Sequence, residues 1–137
     1  MGFVHAEITL RNASDVIVAE NGLVEGREVR QATVTAVVDT GAITLVITEK
    51  LRQQLGLGTK GERQATLANA TKETLKIADP VWVHWKNRDT ICRPLVIPGD
   101  GNILLGVIPL EDMDLIVDPA REELVGAHGD EIVSFLL

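Results

Sequence analysis

Ala36-Val37-Val38-Asp39-Thr40-Gly41-Ala42 carries an apolar, β-branched run straight into a carboxylate, a small hydroxyl, a glycine and an alanine. Upstream, Val29 to Val38 alternates, with Ala32, Val34 and Ala36 on one face, which predicts a strand. Downstream, Ile43 to Ile47 is a second β-branched run. Thr48 then stands as a helix N-cap before Glu49, with Leu51 and Leu55 one turn apart and Gly56 as the stop. Asp39 therefore sits on a tight turn between two apolar segments. Aspartate is depleted in strands and is rarely buried unless paired. Its plain reading is a turn residue bonding to the backbone two positions on. The other reading is chemistry.

Further out, the chain is a succession of short segments. Phe3 to Leu10 alternates as a strand, and Arg11 to Asp15 is turn-like. Val16 to Ala19 is a short apolar run, and Asn21-Gly22 after it predicts a hairpin. Gly58 to Leu67 is polar and glycine-bearing, and Leu67 to Leu75 reads as an exposed hairpin. Ile77 to Trp85 and Thr90 to Ile97 read as strands around a charged turn at Lys86 to Asp89. Pro98 to Gly101 breaks the chain before the apolar strand Asn102 to Gly106. Val107 to Met113 holds a helical turn, and Leu115 to Val117 is a last core strand. The apolar tail Ile132 to Leu137 is expected to pair with something. Many short strands with one or two short helices predict a mostly-β fold, a small closed barrel or sandwich, in one domain over residues 1–137.

Composition narrows the function. Apolar residues make up 45% of the chain but aromatics only 3%, so the core is built from Val, Ile, Leu and Ala. The net charge of −7 excludes nucleic acid and an anionic membrane surface as expected partners. Cys92 is the single cysteine, which rules out an internal disulfide and reads as a small apolar residue. There is no signal-peptide pattern in Met1 to Arg11 and no apolar run long enough to span a bilayer, so a cytoplasmic protein is expected.

Asp39-Thr40-Gly41-Ala42 after Val37-Val38, together with the later Ile103-Leu104-Leu105-Gly106, resembles the retropepsin-like aspartic proteases of the cellular and bacterial type. The resemblance spans Gln31 to Val117. It implies the acid-protease fold and a peptidase with no cofactor and no metal, acting on a peptide or protein substrate. Peptide hydrolysis needs an activated water and a proton donor. Two carboxylates in contact supply both, because they cannot both ionise. This chain has one Asp-Thr-Gly, so the second Asp39 must come from an identical chain across a twofold axis. Thr40, Gly41 and Ala42 would support the dyad and position substrate backbone. Ala68, Asn69, Ala70, Thr71 and Lys72 would form a flap over the substrate, and Leu104, Leu105 and Gly106 would support the site. The apolar C-terminus would pair with its twin.

Two positions depart from the family pattern. Many viral members carry an acid after the alanine and an arginine after the later glycine; here these are Ile43 and Val107, and apolar packing is expected in place of the ion pair. The rival to catalysis is a non-catalytic dimeric module that binds peptides on the same fold. Other patterns carry less. Gly56 to Gly61 spells G-x-G-x-x-G, but a helix precedes it and a polar loop follows, the reverse of a dinucleotide site. His5, His84 and His128 share no ligand spacing. Glu111, Asp112, Asp114 and Asp118 read as a solvated face. Trp82 and Trp85 fall on opposite strand faces, one for the core and one for a cleft or interface.

Overall fold

A computed structural model describes residues 3–22, 28–67 and 69–136. The elements in order are β1 (His5–Asn12), α1 (Ala13–Glu20), β2 (Gln31–Val38), β3 (Val46–Thr48), α2 (Glu49–Gln54), β4 (Thr59–Thr66), β5 (Lys72–Ala78), β6 (Val81–Trp85), β7 (Arg88–Cys92), β8 (Leu95–Ile97), β9 (Ile103–Leu105), α3 (Val107–Asp112), β10 (Leu115–Asp118) and β11 (Glu123–Gly126). Nine strands form one sheet in the order β4-β5-β8-β3-β9-β2-β1-β6-β7, and β10 pairs with β11.

The sheet is curled. Val96 of β8 and Val83 of β6 stand five places apart in the strand order yet belong to one core cluster with Ile8, Leu10, Ala36, Leu55 and Leu105. Five strand spacings in a flat sheet would hold them roughly 24 Å apart. The strands at the two ends, β4 and β7, do not pair among the described residues, so the sheet is an open curl and not the closed barrel expected. Alternation in β1 produces this directly: Ala6, Ile8 and Leu10 are buried, while His5, Glu7 and Thr9 face out.

Three short helices are present among the described residues, where one or two were expected. The extra one is α1, where a strand and an Asn-Gly hairpin were expected. Asn12 ends β1 and caps the helix by accepting the Asp15 N–H at 3.1 Å. Asn12 Nδ2 also donates to the Leu55 carbonyl at 2.9 Å, at the end of α2. Asp15 is buried and takes Arg30 Nε at 2.8 Å and Nη2 at 2.9 Å. These contacts fix the helix from outside, against the strand preference of Val16, Ile17 and Val18. The two long strands expected at Ile77–Trp85 and Thr90–Ile97 are each divided, because Pro80 and Pro94 cannot donate to a ladder. The tail residues 132–136 form no strand. Val133 instead donates its N–H to Asp114 at 3.0 Å, and Leu137 lies outside the described residues. No described helix is long and apolar enough to cross a membrane.

Candidate active site

Asp39 follows the last residue of β2, where the central ladder ends. Its N–H donates to the Leu105 carbonyl at 3.0 Å, and its carbonyl accepts from Ala42 N–H at 3.1 Å. Its Oδ1 accepts the Gly41 N–H at 2.8 Å. Both parts of the residue are thus held by backbone. Strand β2 runs parallel to β9, with Val37 beside Leu104 and Val38 beside Leu105. The segment after Asp39 folds down onto the segment after β9: Val107 N–H donates to Ala42 O and Ile108 N–H to Ile43 O, both at 2.9 Å.

Gly106 makes that crossing possible. A Cβ on it would stand 2.5 Å from the Ala42 carbonyl oxygen, 2.8 Å from Thr44 N and closer still to Thr44 O. Its φ of −95° is open to any residue. The glycine is needed for space and not for backbone freedom.

Asp39, Gly41, Ala42 and Ile43 line an open cleft of about 880 Å³. The floor and far wall are Val46, Leu95, Ile97, Pro98, Asn102 and Leu104. The roof is the β4–β5 hairpin, through Arg63 to Leu67 and through Glu73 and Leu75. Leu75 is buried with Val46 and Leu95, and this small cluster ties the hairpin root to the floor. The chemistry on offer is a carboxylate at one end of an apolar trough. The one cysteine, Cys92, does not line the cleft, and burial pushes its thiol up to about 11.

A family profile described as aspartyl protease matches residues 21–107, which contain Asp39, the hairpin and Gly106. The chain belongs to the aspartyl protease family. Its fold is similar to that of the retroviral protease-like domain of Ddi1 from Leishmania major, with a TM-score of 0.55 at 13% identity, covering 91% of this chain and 88% of that one. Comparison with curated proteins gives no match.

The expected site residues divide into four groups. Asp39, Gly41, Ala42 and Leu104 meet at the cleft. Thr40 is exposed on the turn beside it. Leu105 and Gly106 are buried beneath, contributing the carbonyl that takes Asp39 N–H and the space for the crossing. Asn69, Ala70, Thr71 and Lys72 lie at the hairpin end and do not line the cleft; Ala68 lies outside the described residues. At that end Asn69 Oδ1 accepts the Thr71 N–H at 3.1 Å, and Ala70 sits at φ 65°.

The cleft is lined instead by the hairpin arm Arg63 to Leu67, which the sequence shows only as a polar stretch with no alternation of burial to reveal a strand. Ile43 and Val107 stand on the two joined segments, and Ile43 is not buried there. It stays 52% exposed on the cleft wall, and the two backbone bonds join these segments. Trp85 is in the core, and Trp82 stacks on His84 at 5.7 Å, away from the cleft. The acidic residues are partly engaged: Asp112 accepts from Thr90 Oγ1 at 2.6 Å, and Asp114 pairs with His128 Nδ1 at 2.7 Å.

Proposed function

We propose that the chain is an aspartic endopeptidase active as a homodimer, with Asp39 of each copy forming the catalytic dyad. The observation that carries this reading is Asp39 on a backbone-locked turn at the end of a roofed, apolar cleft. One carboxylate of the dyad is ionised and takes a proton from water; the oxygen attacks the scissile carbonyl carbon. The protonated carboxyl donates its proton to the carbonyl oxygen as the tetrahedral intermediate forms. Collapse of that intermediate breaks the C–N bond, and the leaving nitrogen receives a proton from the dyad. The two carboxyls titrate as one unit.

The surface beside Asp39 supports a twofold contact. On a chain of net charge −7, two identical surfaces approach closely only where they are uncharged. Thr40, Gly41, Ala42 and Ile43 carry no charge. Ile43 and Ile108 are exposed at 52% and 49%, and Phe3, one residue before the Val4 carbonyl that takes Val38 N–H, is exposed at 77%. The substrate is an extended peptide laid between the floor and the hairpin, in the cytoplasm.

Peptide cleavage between about pH 3 and pH 7, with sedimentation of the same samples, tests the reading. Cleavage that is blocked by a statine-type transition-state analogue and lost in Asp39→Asn is the expected result. Cleavage retained in Asp39→Asn, or a monomer that cleaves, overturns it. A dimer that binds peptides and never cuts them leaves the non-catalytic module.

A further inference from the structure

The roof of the cleft carries two charges that no other described residue pairs with. In the β4–β5 hairpin, Arg63 lies opposite Leu75 and Ala65 opposite Glu73. Residues directly opposite in an antiparallel pair share a face. Leu75 is buried against the cleft floor, so this shared face is the one turned to the cleft. Arg63 and Glu73 both line the cleft and are both exposed. Neither makes an ion pair or side-chain hydrogen bond with another described residue. By contrast, Arg30, Arg52 and Arg88 are each held by a carboxylate or by carbonyls.

Their spacing matches a peptide. Arg63 and Glu73 are offset by two residue steps along the hairpin, roughly 7 Å, which is the repeat between alternate residues of an extended chain. In an extended peptide, residues i and i+2 point to one side and residue i+1 to the other. A peptide lying between hairpin and floor therefore presents two alternate side chains up to Arg63 and Glu73. The side chain between them points down to Val46, Leu95, Ile97 and Leu104.

We propose that this cleft selects a charged–apolar–charged tripeptide, with an acidic side chain under Arg63, a basic one under Glu73, and an apolar one between them against the floor. The inference rests on the reading of the cleft as a peptide site, and it adds that the hairpin roof sets the specificity. The order of the two charges along the substrate follows from the direction in which the peptide lies.

Binding to the Asp39→Asn protein separates this from turnover. Two synthetic peptides with identical Ala flanks and net charge, one containing Glu-Leu-Lys and the other Lys-Leu-Glu, are titrated by fluorescence anisotropy. One order binds about tenfold tighter than the other, as expected for converting two exposed attractions into two repulsions. The double variant Arg63→Glu/Glu73→Arg inverts the preference, and Arg63→Ala/Glu73→Ala abolishes it. The preference shrinks at about 0.5 M salt, where screening is short-ranged. Circular dichroism checks that each variant folds, which the exposure of both positions favours. Equal binding of the two orders, no binding of either, or a preference that survives the charge swap overturns the inference. Cleavage by the unmodified protein is scored separately: a wild type that cuts nothing while the order preference inverts on schedule sinks the protease reading and leaves this one standing.

Discussion

Gly106→Ala is the sharpest perturbation of this site that leaves every polar group in place. The added methyl would stand 2.5 Å from the Ala42 carbonyl oxygen, 2.8 Å from Thr44 N and nearer still to Thr44 O, where an ordinary contact is at least about 3.4 Å. All three atoms are backbone, so no flexible side chain can swing aside. The loop after Asp39 must move by about 1 Å, or the chain after β9 must. Either movement stretches the Val107–Ala42 and Ile108–Ile43 hydrogen bonds that join them. Overpacking of this kind costs about 3 kcal/mol, and each weakened bond adds about 1 kcal/mol. Urea denaturation then loses stability by about 3–5 kcal/mol, read as a fall in midpoint at unchanged slope. Displacing Asp39 by about 1 Å lowers cleavage about 100-fold, a loss larger than the change in folded population explains. Amide exchange of Asp39, Val107 and Ile108 accelerates before that of the β1–β2 ladder. A Gly106→Ala protein with the wild-type midpoint and unchanged exchange at those amides would refute the claim that this glycine holds the two segments together.

Asn12→Ala removes a helix cap and a buried donor to Leu55 O at once, and is expected to cost about 2–3 kcal/mol by chemical denaturation, with far-UV helicity falling at α1. Arg88→Ala strips the buried guanidinium from the carbonyls of Met113, Asp114, Gly129 and Glu131; it costs about 3 kcal/mol or more, and amide exchange around His128 to Val133 rises. The Val133 N–H, then His128, hold the Asp114 carboxyl below its ordinary value, and Arg52 does the same for Glu49. A depressed carboxylate stabilises the fold fully above its unfolded value and loses that contribution as pH falls through its folded value. Thermal melts taken downward from about pH 5 should therefore fall in the window below the usual carboxylate range, and Asp114→Asn should flatten that fall; a slope unaltered by the substitution counts against the assignment.

What the sequence reveals and what it hides separate along physical lines. Strands with one wet and one dry face were readable from alternation, as in β1, and Thr48 marked the start of α2 through its cap. The strand β9, with Gly106 and α3 after it, was readable because an apolar run stopped at a glycine. Helix α1 was not, since its apolar residues are β-branched and its support comes from Arg30 and the end of α2, distant in sequence. The arm β4 was hidden for a different reason: it is an edge strand exposed along nearly all its length, so burial imposes no pattern on it. That hidden arm supplies much of the cleft roof. The catalytic candidate could be found from its neighbours in the chain, while the hairpin residues that line the cleft could not.

The turn reading and the catalytic reading of Asp39 make use of the same contact. An aspartate that merely closed a turn would accept the N–H two residues on, and Asp39 does so, through Gly41. That bond engages Oδ1 and fixes the plane of the carboxylate, leaving Oδ2 without a hydrogen bond from the described residues. A Cβ on Gly41 would come within 3.1 Å of Oδ1, so the glycine also keeps the approach to the carboxylate open. What a plain turn does not require is the surface around it. A solvated turn has no use for Ile43 and Ile108 half exposed beside it, or for a Phe3 exposed at 77% one residue before the carbonyl that holds Val38. Apolar surface of that kind is costly in water and becomes favourable when covered. Under the proposed dimer, covering it with an identical, uncharged surface would also bring a second carboxylate to the first. In the proposed dimer, the residues that would draw two copies together and the residue that would need a second copy lie on one short stretch of chain, Asp39 to Ile43, with Ile108 hydrogen-bonded to its end.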